Sequence, residues 1–109
     1  MRAEMLKGHL ELLLLATIAA KPAHGYQIVE LLRERSGGAF DLPEGTVYPA
    51  LYRLERAGLL ASRWSIVDGR RRRTYRLTRR GRAALAAERR DWDRFAHAVG
   101  AVTAAADPA

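Results

Sequence analysis

The 109 residues contain no cysteine, which excludes a disulfide framework and thiolate metal sites. The three histidines, His9, His24 and His97, have no local ligand spacing, so neither a metal nor a cofactor is expected. Lysine is scarce: only Lys7 and Lys21 stand among 19 basic residues. A long hydrophobic run is missing too. Leu10 to Ala20, "LELLLLATIAA", is apolar but too short to span a bilayer, and Glu11 lies inside it. A signal peptide is a poor fit, because no positively charged run precedes an apolar core and cleavage site. No nucleophile–base–acid set and no phosphate loop is legible, so an enzyme is not expected. The expected location is the cytoplasm, with no membrane partner.

Positive charge is plentiful. The formal net charge is +7 and the sequence pI about 10.8, a balance that favours a polyanionic partner, nucleic acid before a membrane surface. The arginine excess and abundant alanine are also what a GC-rich genome would produce. The placement of the arginines therefore says more than their number. The length suits one small domain with a modest core.

A first helix is expected from about Leu6 to Ala20. Leu12, Leu13, Leu14 and Leu15 run all the way round it, and a helix apolar on every side must be covered on both. A partner subunit could supply that cover. Lys21-Pro22-Ala23 breaks the helix. A second begins near Gly25 with an Ile28, Leu31, Leu32 stripe, His24 as its cap, and Gly37-Gly38 at its end. The third contains "LPEGTVYPALYRLERAGLL", Leu42 to Leu60. Val47, Leu51, Leu54 and Gly58 fall inward, while Thr46, Pro49, Tyr52, Arg53 and Arg56 fall outward. It starts at Pro43 or near Gly45. The earlier start would leave Pro49 inside the helix, missing one bond and kinking it.

Two strands follow, Leu59 to Val67 and Arg72 to Thr78. A two-residue turn at Asp68-Gly69 is the simplest link. A four-residue loop, Asp68 to Arg71, would instead set Trp64 opposite Tyr75, and the stabilising aromatic pair favours that register. Either loop projects Arg70, Arg71, Arg72 and Arg73 together. Thr78 can cap a last helix from Arg79 to about Ala101. Leu85, Glu88, Trp92, Phe95, Val99 and Val102 alternate three and four apart along it, a short heptad seam. The expected fold is mainly α with a small two-stranded β-wing: a winged helix-turn-helix over 1–78, a C-terminal dimerisation helix over 79–102 and a frayed tail over 103–109.

In a helix-turn-helix the later helix enters the major groove and its N-terminal residues reach base edges. Gly45 leaves that approach unobstructed. Four adjacent arginines on a hairpin repel one another unless phosphates or a narrow minor groove neutralise them. Double-stranded DNA is the expected partner. A docking domain for another protein is the competing class, but it would not need the arginine wing.

Three segments, "LKGHLELLLLATIAAKPAHGYQIVELL", "LPEGTVYPALYRLERAGLL" and "DGRRRRTYRLTRRG", resemble the PadR family of bacterial winged-helix transcriptional regulators, in the short subfamily with a single C-terminal helix. Thr74 departs from the pattern, which usually carries an aromatic before the residue matching Tyr75. The resemblance implies a homodimeric repressor of a nearby detoxification or efflux gene, often released by a small aromatic or cationic effector. Carried onto this sequence, it places Thr46, Tyr48, Pro49, Tyr52 and Arg53 in the groove or on adjacent phosphates. Tyr48 has half-buried packing as its alternative, and Arg53 can read guanine or hold a phosphate. Tyr26 can reach a phosphate at the start of the second helix, and Arg70 to Arg73 are the wing. The dimer interface would use Leu12, Leu13, Leu85, Trp92, Phe95 and Val99. Trp92, close to its own copy across a two-fold axis, would either clamp a flat effector or simply pack.

Overall fold

Prolines, glycines and capping side chains set where the elements begin and end. The computed structural model describes residue 6 and residues 8–106. In chain order the elements are α1 (Leu10–Ala20), β1 (Ala23–His24), α2 (Gly25–Arg35), α3 (Glu44–Arg56), β2 (Leu60–Val67), β3 (Arg70–Leu77) and α4 (Arg79–Ala104). The first helix starts later than about Leu6. Leu6 is helical, but Gly8 at φ +88° turns the chain ahead of Leu10. Residue 7 lies outside the described residues.

Much of the cover for α1 comes from the chain itself. Leu14, Leu15, Thr17 and Ile18 are buried, and Leu10, Leu12 and Leu13 are half-buried against the core. α1 touches α2, α3, α4 and β3, so its all-round apolar character is largely used up within the subunit. One core results, with Ile28 and Leu32 from α2, Val47 and Leu51 from α3, and Leu60, Tyr75, Leu77 and Leu85 closing it.

His24 caps α2 as expected. Its Nδ1 accepts the Gln27 N–H at 3.4 Å, while the Gln27 side-chain oxygen accepts the His24 N–H at 3.2 Å. That reciprocal pair satisfies two donors that a helix start leaves open. Gly37 and Gly38, both at positive φ, end the helix, with the Gly38 N–H on the Arg33 carbonyl at 2.8 Å. The start of α3 is settled at Glu44, with Pro43 as N-cap and Pro49 inside the helix. Pro49 cannot donate to the Gly45 carbonyl, one turn earlier on the exposed front of α3.

The sheet and the wing differ from expectation in two ways. The sheet has three strands in the order β1-β3-β2, since Ala23 and His24 pair with Tyr75 and Thr74. The hairpin turn is the two-residue Asp68-Gly69, so Trp64 faces Arg73 and Ser62 faces Tyr75, and the four-residue loop is wrong. Asp68 at φ +52° and Gly69 at φ +75° adopt the left-handed pair that matches strand twist. The aromatic pair was no guide, because a shift of two residues leaves every side chain on the same face. In the observed register Leu60 faces Leu77, both buried, and Trp64 stacks on arginine instead of tyrosine.

Thr78 joins the wing to α4. Its hydroxyl accepts the Gly81 N–H at 3.0 Å and donates to the Gly58 carbonyl at 2.7 Å. Gly81 presses on Leu59: a Cβ there would stand 2.0 Å from the Leu59 carbonyl oxygen, so only glycine fits. From that anchor α4 runs 26 residues, far longer than the domain needs. Leu85, expected on the exposed seam, is buried in the subunit's own core, and the exposed apolar stripe starts at Trp92. Thr103 and Ala104 continue the helix beyond its expected end, and 107–109 of the expected tail lie outside the described residues.

Candidate nucleic-acid interface

α3 packs Val47, Ala50, Leu51 and Leu54 into the core. Helical geometry then turns Thr46, Pro49 and Arg53 directly away from the core, on one ridge. Pro49 and Arg53 are exposed and Thr46 half-buried. Tyr48 and Tyr52, one turn apart, lie on the flank that faces the wing.

A groove of about 330 Å³ separates that flank from the wing. Tyr26, Tyr48 and Tyr52 line one wall, and Trp64, Arg71, Arg72 and Arg73 the other. Three tyrosines and three arginines singled out in the sequence thus converge here, while Thr46, Pro49, Arg53 and Arg70 stand outside it. Arg53 instead borders a second hollow beside Glu11 of α1. Tyr48 is 40% exposed, so groove and packing readings both describe it: its ring lies against Gly25, where a Cβ would come within 2.3 Å of Tyr48 Cε1. The "HGY" and "GTVY" segments are therefore one contact, with glycine needed so that the tyrosine can lie over the start of α2.

The electrostatics of the groove are lopsided. Burial, then the nearby Arg72 cation, pushes the His24 pKa below its ordinary 6.5. Burial, then Glu44, raises Tyr48 above the usual 10.0, and the Glu30 carboxylate beside Tyr26 raises that phenol as well. All three groups are thus held neutral at pH 7, leaving the arginines as the charge of the groove. Arg71 lies over the Trp64 ring at 4.6 Å and Arg73 at 5.7 Å, so the indole spaces two cations that would otherwise repel. Arg56 sits 5.6 Å over Tyr52.

Two features escaped the sequence reading. Glu55 on α3 pairs with Arg73 at 3.4 Å, and Ser62 joins them. Helical position alone places Glu55 on the wing side, but its partner depends on the hairpin register. Between the start of α1 and α4, Gly8, His9, Leu12, Glu88, Asp91, Trp92 and Phe95 line a cleft of about 410 Å³. The His9 ring meets Trp92 edge-on at 5.1 Å. One Glu88 carboxylate oxygen is buried without a hydrogen-bond partner.

Three helices and a basic hairpin beside the third define a winged helix-turn-helix protein. The profile of the transcriptional regulator PadR-like family matches residues 14–87, and the chain belongs to that family. It is 48% identical over 69 residues to "Transcriptional regulator Rv3488" of Mycobacterium tuberculosis, a match covering 63% of this chain and 64% of that protein. A PadR family transcription regulator from Clostridium difficile R20291 superposes with a TM-score of 0.79 at 32% identity, over 88% of this chain and 99% of the other. A PadR family transcriptional regulator from Eggerthella lenta gives 0.80 at 32% identity, over 92% and 86%. The family is one of transcriptional regulators, and no helix among the described residues is long and apolar enough to cross a membrane.

Proposed function

We propose that the protein is a cytoplasmic, homodimeric repressor that binds an inverted-repeat operator in double-stranded DNA and is released by a small aromatic or cationic effector. The observation that carries the DNA reading is the convergence of an exposed α3 ridge with a tyrosine-lined, arginine-walled groove. Thr46, Pro49 and Arg53 enter the major groove. Tyr26, Tyr48 and Tyr52 hold the flanking DNA backbone, and Arg70, Arg71 and Arg72 follow the DNA phosphates beside the wing or the adjacent minor groove. Tyr26 and Tyr48, both with raised pKa values, stay uncharged there, as donors to phosphate must.

Dimerisation is supported by α4. Beyond the core it carries Trp92, Phe95, Val99 and Val102, the last 73% exposed, as an apolar stripe whose start lies next to half-buried Leu12. A stripe of that kind on a projecting helix suits a copy of itself across a two-fold axis. The cleft at Trp92 opens beside it. An indole face attracts flat and cationic molecules, and the unpartnered Glu88 oxygen favours a cation. Such a ligand acts on DNA affinity only if it prefers one spacing of the two α3 helices over the other.

In vitro selection from a randomised duplex pool tests the reading. It should recover an inverted repeat with half-sites about one helical turn, roughly 34 Å, apart. No enrichment of any repeat would overturn it.

A further inference from the structure

The four wing arginines are not equivalent. Among the described residues, Arg73 is the only one of them in an ion pair, with its Nη2 3.4 Å from Glu55 of α3. Its Nε donates to the Ser62 hydroxyl at 2.8 Å, and that hydroxyl donates to the other Glu55 oxygen. The result is a closed triangle joining α3, β2 and β3. Both carboxylate oxygens and the hydroxyl are used, and Glu55 is mostly shielded from solvent, with its side chain 22% exposed. The guanidinium carbon lies 5.7 Å over the Trp64 ring.

Resting on the DNA-binding reading above, we propose that Arg73 is a positioning residue and not a phosphate ligand: with Glu55 and Ser62 it sets the angle between the wing and the reading helix. A hairpin attached to the core only through its base would swing. A two-point guanidinium contact to one side chain on each neighbouring element fixes direction as well as distance. Trp64 then carries that fixed direction to Arg71, whose guanidinium lies closer over the same ring and belongs to an exposed residue. The charge available to DNA sits on Arg70, Arg71 and Arg72. Arg73 decides where it points.

The experiment has two arms. In the first, binding of the full chain to a random-sequence duplex is followed against salt. Arg71→Ala should flatten the slope by about one unit per subunit, whereas Arg73→Ala should leave it unchanged, because a freer wing still brings Arg70, Arg71 and Arg72 to phosphates on DNA of any sequence. An equal flattening by Arg73→Ala would overturn the proposal. In the second arm, without DNA, hydrogen exchange of the β2–β3 amides is measured. Glu55→Ala and Arg73→Ala should each speed it about fivefold, and the double variant no further, because one linkage is lost in every case. Arg73→Lys keeps the charge but not the two-point geometry, so it should not restore protection. Unchanged exchange in the single variants, or additive acceleration in the double, would refute the linkage. A flat salt slope for the unaltered protein would instead mark failure of the DNA-binding reading, since the exchange arm needs no DNA.

Discussion

His24 ties acidity to the presentation of α2. Its Nδ1 must keep a lone pair for the Gln27 N–H, and burial together with Arg72 lowers its pKa. In the window below the unfolded value of about 6.5, the unfolded chain holds more protons than the folded one, so stability rises with pH there and is lost as pH falls. Thermal unfolding followed from about pH 8 to pH 5 should show the midpoint dropping below about pH 6.5. His24→Asn, which caps without titrating, should remove most of that drop. An unchanged profile in the variant would assign the dependence to another group. Gly81 is the stricter residue. A methyl there meets backbone, the Leu59 carbonyl, and not a side chain that could move. Gly81→Ala should therefore cost about 1–3 kcal/mol in urea unfolding, and a cost within experimental error would mean that α4 can shift freely on Leu59.

Among the elements, the proposed function assigns the reading to α3 and the steering to β2–β3. Arg53→Ala should cost about 1–3 kcal/mol on a selected site and relax one base position. Equal weakening on selected and random DNA would make Arg53 a phosphate contact. The helices were largely legible in the sequence because caps and breakers act locally: His24, Pro43, Thr78 and the Gly37-Gly38 pair each act within a turn of where they stand. The wing was less so. Its two candidate registers share one inside-outside pattern, and only the turn's left-handed backbone separates them. β1 was hidden for another reason: two residues before a helix carry no period, and pairing with β3 exists only once α2 has folded back. The Glu55–Ser62–Arg73 triangle inherits the register and could not be read before it.

At the scale of the whole molecule, a small core is attached to a long projecting rod. The extents of 60 × 28 × 21 Å are set by α4, whose residues from Arg89 onward are exposed. The seam was legible as spacing, but spacing does not show how far the subunit's own α1 reaches along it. Leu85 lies under that reach; Trp92, 42% exposed, lies at its edge. Sedimentation at micromolar concentration should give twice the 12.2 kDa chain mass. Phe95→Glu, which sets a charge in the exposed stripe, should shift it toward one. A folded monomer for the unaltered chain would remove the interface and, with it, the means by which a ligand in the Trp92 cleft could change the spacing of two α3 helices.

DNA binding by this protein requires that the arginine wing neutralise phosphates. The most direct measurement is the slope of log affinity for a random duplex against log salt concentration. With Arg70, Arg71 and Arg72 engaged on each of two subunits, the slope should be about −5, from roughly 0.9 per neutralised phosphate. A slope near zero would contradict the account and favour a docking surface for another protein.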